Sequence, residues 1–182
     1  MLSLKTRDAL PISNGMDIYI FLVIVHLIGT VLGAGGATFI EIFLTKALRD
    51  GHVDPIESDF LKTTFTVVRA GLILALLSGF GFLLYYQLNG QTFKLYNPLL
   101  WAKLTIVIII AANALLLQAH KISLYWGSAF SFVSWYGALI IGVFLTNAKS
   151  YSYFEVMLYY TIAVIAGSIV LDLIRKSFSA KA

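Results

Sequence analysis

Polar and charged positions along this 182-residue chain gather into short stretches, and five long apolar segments run between them. The segments cover residues 17–40 (DIYIFLVIVHLIGTVLGAGGATFI), 66–88 (TVVRAGLILALLSGFGFLLYYQL), 99–120 (LLWAKLTIVIIIAANALLLQAH), 128–146 (SAFSFVSWYGALIIGVFLT) and 153–174 (YFEVMLYYTIAVIAGSIVLDLI). Each has about the 20 residues that a helix needs to cross roughly 30 Å of hydrocarbon. None alternates cleanly between polar and apolar, and the chain is short for a membrane β-barrel. The pattern predicts an all-α integral membrane protein, a bundle of five transmembrane helices forming one domain over residues 1–182.

The connections are short except for the polar stretch 41–65, EIFLTKALRDGHVDPIESDFLKTTF. Here the first helix is expected to run on past the lipid, break at Gly51 and restart at Asp54 or Pro55. Residues 56–65 then lead as helix into the second segment. An L-N-G turn at 88–90 and N-P at 97–98 punctuate the next connection. Tyr85, Tyr86, Tyr96, Trp101, Tyr125, Trp126, Tyr151 and Tyr153 cluster at segment ends, as aromatic side chains do at a membrane–water interface.

Composition agrees with the pattern. The chain is 59% hydrophobic and 12% charged, against about 25% charged in soluble domains. It has no cysteine, which excludes disulfides, thiolate metal sites and iron–sulfur clusters. Its Lys and Arg residues are scattered rather than clustered, so nothing points to nucleic acid. The first fifteen residues are too polar for a signal peptide. Seven basic residues (Lys46, Arg49, Lys62, Lys121, Arg175, Lys176, Lys181) fall on one side of the predicted membrane and four (Lys5, Arg7, Lys94, Lys149) on the other. That asymmetry predicts an outside N-terminus and a cytoplasmic C-terminus; the expected location is a bacterial inner membrane.

Against this apolar background a few residues carry chemistry. His26, Gly29, Gly33 and Ala37 are three or four apart and share one helix face. The small residues suit either a close helix–helix seam or the flat face of a porphyrin lying against backbone. His26 sits some eight residues into its span. An ionisable group at that depth is costly, so it is either hydrogen-bonded to a neighbour or a metal or haem ligand. At 1.5 Å per residue, His26 lies roughly 12 Å below the membrane face, Lys103 roughly 6 Å and His120 roughly 31 Å. One iron cannot bridge His26 and His120. Lys103 differs from His26 by only about 6 Å in depth, which part of its flexible stem can cover; the alternative is a lysine snorkelling beside Trp101. At the opposite face, Glu41 and Arg69 have similar depth and are candidates for an ion pair. Asn113 and His120 share a face of the third segment and could form a polar seam, whereas Glu155 and Asp172 look interfacial, with no visible role.

The stretches HLIGTVLGAGGATF and NPLLWAKLTIVIIIAANALLLQAHK resemble the HemJ-type membrane proteins, the oxygen-independent protoporphyrinogen oxidases, and the wider copper-resistance (CopD-type) families. The likeness spans about residues 17–122. It implies that His26 and Lys103, the latter within WAKL, are the residues associated with haem b and with activity. GAGG stands where the family has a tryptophan, FIEIF replaces a proline-arginine continuation, and QAHK replaces paired histidines. A fifth span is also one more than the usual four. The expectation is a b-type haem protein of the membrane, with His26 as metal ligand and with His26, Gly29, Gly33, Ala37 and Lys103 around the cofactor. It would oxidise protoporphyrinogen IX or exchange electrons with a quinone. Besides the bilayer, the expected partners are a quinone or porphyrinogen and either a second copy or a larger membrane complex. Two other readings stand beside it. One is a cofactor-free subunit of a membrane complex. The other is a CopD-like metal transporter, for which three methionines and no cysteine supply few soft ligands.

Overall fold

A computed structural model describes residues 13–47, 54–145 and 151–179. Among these residues the protein is all-α, with five helices that are each long and apolar enough to cross a membrane. Helix α1 covers Ser13–Ala47, α2 Pro55–Leu88, α3 Pro98–Gln118, α4 Leu124–Phe144 and α5 Tyr153–Ser179. A short 3-10 turn, Thr92–Tyr96, lies between α2 and α3. The helices alternate in direction. The end where α1 and α3 begin is called the upper end, and the end where α2 and α4 begin the lower.

The helix boundaries have local causes. Pro55 opens α2, and the Asp54 N–H donates to the Glu57 carboxylate at 3.0 Å, one half of a capping box. The Asn97 side chain accepts from Leu99 N–H at 2.9 Å and Pro98 takes the first position of α3, where a missing N–H costs nothing. Gly90, with φ +68°, makes the turn after α2. The end of α3 is less ordinary. His120 follows it with φ 53°, taking the left-handed position that usually goes to glycine. The expected helical lead over 56–65 is present as the start of α2, and α1 runs on to Ala47. The expected break at Gly51 lies outside the described residues. The fourth helix starts earlier than its apolar run suggested, at Leu124, because the aromatic belt residues Tyr125 and Trp126 are themselves helical.

The helices pack unevenly. Helices α1 and α2 form the tightest pair, with α3, α4 and α5 grouped beside them and α4 packed against α1. One face of α3, formed by Leu99, Ala102, Ile106, Ile110 and Asn113, is buried. Trp135 and Ala138 of α4 join the same core. Among the described side chains of α5, Val156, Tyr160 and Arg175 are buried. Much of the remaining surface is apolar, including Phe21, Leu27, Val31, Leu77, Ile108, Val143 and Ile165. Such a surface suits lipid rather than water.

Candidate functional site

His26 projects from the upper half of α1 and meets side chains from two other helices. Its Nδ1 lies 2.9 Å from Ser78 Oγ of α2. Its Nε2 lies 3.1 Å from Lys103 Nζ of α3. The edge of the Phe82 ring stands beside it, with centroids 5.7 Å apart and planes at 76°. Histidine and lysine are half-buried, while Ser78 is 2% exposed. The lysine reaches across because α4 makes room at Gly142: a Cβ there would lie 3.1 Å from Nζ. Two residues that depth arithmetic put within reach of each other are thus in hydrogen-bond contact. The pair bridges the α1–α2 hairpin and the α3–α5 group near their upper end.

A run of aromatic rings leads from the pair toward the upper surface. Phe82 contacts Tyr86 at 6.2 Å and Tyr19 at 5.7 Å, and Tyr19 contacts Tyr85 at 5.4 Å. Lys94 lies over the Tyr86 ring at 4.7 Å, a cation–π contact that ends the run.

The small residues below His26 are already covered by protein. A Cβ on Gly29 would come within 2.7 Å of Ala75 N and 2.9 Å of Gly71 O. A Cβ on Gly71 would come within 2.6 Å of Gly33 N and 2.7 Å of Gly29 O. Gly29 and Gly33 on α1 therefore meet Gly71 and Ala75 on α2 backbone to backbone, the close approach that small residues four apart permit. The other side of Gly33 is filled by the Trp135 indole, into which a Cβ would collide. Ala37, 2% exposed, is part of the buried core. The stripe serves a helix seam, and in this arrangement it offers no flat face to a porphyrin.

The donor set itself is suited to a metal-bearing group at one point. Imidazole and amine nitrogens face each other from different helices, with the imidazole oriented through its other nitrogen, as ligating histidines are. Metal–imidazole bonds of about 2 Å would place two opposed nitrogens about 4 Å apart, whereas these two stand in direct hydrogen-bond contact at 3.1 Å. Among the described residues, no three His, Asp or Glu side chains converge as a metal cluster would require.

The lower end holds a different cluster, and it corrects one expectation. Glu41 does not pair with Arg69. Its Oε1 accepts from Nε of Arg175 at 2.8 Å and also from Nη2. Arg175 further donates to Ser128 Oγ at 2.9 Å and to the Tyr125 carbonyl, and its guanidinium lies 4.2 Å from the Tyr125 ring centre. The physical reason is helix rotation. Val68 packs on Gly36 of α1, and the next residue, Arg69, is turned by about 100° to an exposed position.

Asp172 accepts from Tyr125 Oη at 2.6 Å and pairs with Lys176 at 2.7 Å. Glu155 accepts from Ser152 N–H at 2.9 Å, while Ser152 Oγ accepts from Glu155 N–H at 3.2 Å. That reciprocal pair is a capping box at the start of α5. Asn113 donates to the Gly127 carbonyl at 3.0 Å, a seam between α3 and α4, and His120 lies beyond it, past the end of α3.

An apolar cavity of about 420 Å³ lies between α4, α5 and the start of α3, lined in part by Leu99, Gly137, Ile141, Tyr151, Val156 and Tyr160. His26 and Lys103 are not in its wall.

No family model, curated protein or solved structure matches the chain significantly.

Residues that the sequence did not mark now stand in the site. Ser78 and Gly142 are common residue types in membrane helices and carry no signal of their own. Phe82 was one apolar residue among many. Arg175 figured only as a cytoplasmic charge.

Proposed function

We propose that the chain is a multi-pass membrane redox protein whose upper half would hold a b-type haem through His26. Lys103 is the second ligand, or the group that holds a proton beside the first. The observation that carries this reading is the contact of His26 Nε2 with Lys103 Nζ at 3.1 Å, across two helices and within an apolar bundle. Ionisable residues that face the interior of a membrane bundle and pair with one another are a mark of substrate pathways and proton relays.

When bound, the haem supplies one-electron chemistry. The chain's own residues do the rest. Ser78 orients the imidazole, Phe82 packs against its edge, and Gly142 leaves space for the lysine amine. A porphyrinogen or a quinone is the substrate class that the family likeness suggests. The N-terminus then lies outside a bacterial inner membrane and the site nearer the outer face.

A second reading, a cofactor-free subunit of a membrane complex, is favoured by one observation. Gly29 and Gly33 are already occupied by α2 and Trp135, so the pair can be read as a hydrogen bond that ties the bundle together. The transporter reading has no donor cluster to rest on among the described residues.

The absorption spectrum of detergent-purified protein, oxidised and dithionite-reduced, separates the two. The expected result is a Soret band with sharp reduced bands in the wild type, lost in His26→Ala and altered in Lys103→Met. Wild type that stays colourless after expression with ample haem overturns the haem reading and leaves the structural one.

A further inference from the structure

We infer that Ser78 is the positioning residue of this site: it fixes His26 as the Nδ1–H tautomer and turns the bare Nε2 lone pair toward Lys103. The inference rests on the reading of His26 and Lys103 as the functional pair, but not on which cofactor or substrate they serve.

The assignment follows from counting hydrogens. Ser78 has one hydroxyl proton and three neighbours: Leu74 O at 2.6 Å, Ala75 O at 3.2 Å and His26 Nδ1 at 2.9 Å. The two carbonyl oxygens can only accept. At 2.6 Å, Ser78 Oγ and Leu74 O would repel each other unless the hydroxyl proton lay between them. That proton is therefore committed to the backbone of α2, the back-bond that serine makes inside helices. Ser78 Oγ has only lone pairs left for the imidazole, so Nδ1 must carry a proton to donate. A neutral imidazole has one N–H, which leaves Nε2 bare. Lys103 can donate to that lone pair whether it is an amine or an ammonium.

Two consequences follow for function. Nε2 is held ready as a base or ligand at a fixed place, because the serine is 2% exposed and cannot swing away from its carbonyls. The hydrogen-bond chain also has a dead end. A proton accepted by His26 cannot pass on through Ser78, because the hydroxyl points at backbone carbonyls that do not take up a proton, so within this hydrogen-bonded group proton exchange is confined to Lys103 and His26. The site is a store for a proton and not a wire across the bundle.

The test is the tautomer itself, read by nitrogen-15 NMR of histidine-labelled protein. A sample that carries haem is freed of it first, because iron on Nε2 would keep the proton on Nδ1 whatever Ser78 did. His26 is assigned by the resonance missing in His26→Gln. The expected wild-type result is a protonated Nδ1 and an unprotonated Nε2. Ser78→Ala should release the preference and populate the Nε2–H form, whereas Ser78→Thr, which keeps the oxygen and its back-bond, should restore the wild-type tautomer. Wild type with a bare Nδ1 overturns the proposal, and so does a folded Ser78→Ala protein that keeps Nδ1–H. If Ser78→Ala does not fold, the wild-type and Ser78→Thr spectra still decide. A colourless protein with the expected tautomer sinks the haem reading and leaves this one standing.

Discussion

The upper and lower ends of the bundle each hold one polar pair that joins α1 to a helix far along the chain, and the two pairs are built to opposite ends. At the lower end, Arg175 and Glu41 are 2% and 7% exposed in their side chains. The guanidinium is held by the carboxylate, a hydroxyl, a backbone carbonyl and an aromatic face. At the upper end, His26 and Lys103 are half-buried and share one hydrogen bond. Arginine keeps its charge under any conditions a protein meets, whereas histidine and lysine can both be neutral. The lower pair is a clasp, and the upper one is made of groups whose protonation can change. Depth in the membrane alone does not make an ionisable residue functional; what matters is whether its partners leave it anything to exchange.

The largest effect should come from breaking the clasp on one side only. Arg175→Ala strands a buried carboxylate and should cost about 3–5 kcal/mol of stability, read as a lowered unfolding midpoint in detergent. Glu41→Gln combined with Arg175→Met removes both charges and should recover most of that loss. If the double variant is no better than the single one, the pair is not coupled as its geometry requires.

Next comes the seam. Gly71→Ala forces the α1 and α2 backbones apart and should cost about 1–3 kcal/mol. Gly79→Ala on the same helix meets nothing within 4 Å and should be neutral or stabilising by up to about 1 kcal/mol. Equal effects at the two positions would mean that helix propensity, not close approach, explains the glycines.

The upper pair should matter least to stability. Lys103→Met removes a half-buried amine and one hydrogen bond, and a change of about 1 kcal/mol or less is expected, together with the altered spectrum already described. Gly142→Ala is subtler still. It crowds Nζ by a few tenths of an ångström, so the fold should be unmoved while the reduced spectrum, or the His26 nitrogen resonances, shift. A large loss of stability from either change would make the upper pair a second clasp and erase the contrast with the lower one.

These differences also explain what could be read from the sequence. The five helices were legible because lipid demands long apolar runs, and nothing else in the chain competes with that signal. The meeting of His26 with Lys103 was legible too, because depth follows from counting residues along a helix. Rotation about the helix axis does not. Glu41 and Arg69 have matching depth, yet the arginine faces outward and the true partner is in the last helix. The glycine stripe fails for another reason. Small residues three or four apart fit a helix seam and a flat cofactor equally well, and only the presence of Gly71 and Ala75 opposite decides between them. Ser78 was invisible because its role depends on two carbonyls and a ring that no local pattern brings together.

The clasp also sets a clock. Glu41 and Arg175 are 134 residues apart, and at about 5–20 residues per second of synthesis the glutamate waits on the order of 10 s before its arginine exists. During that interval the first two helices hold together by their glycine seam, the His26–Ser78 contact and the aromatic rings at their upper end. The clasp forms only once Arg175 arrives, so a chain cut short before position 175 should insert into the membrane and never latch at its lower end.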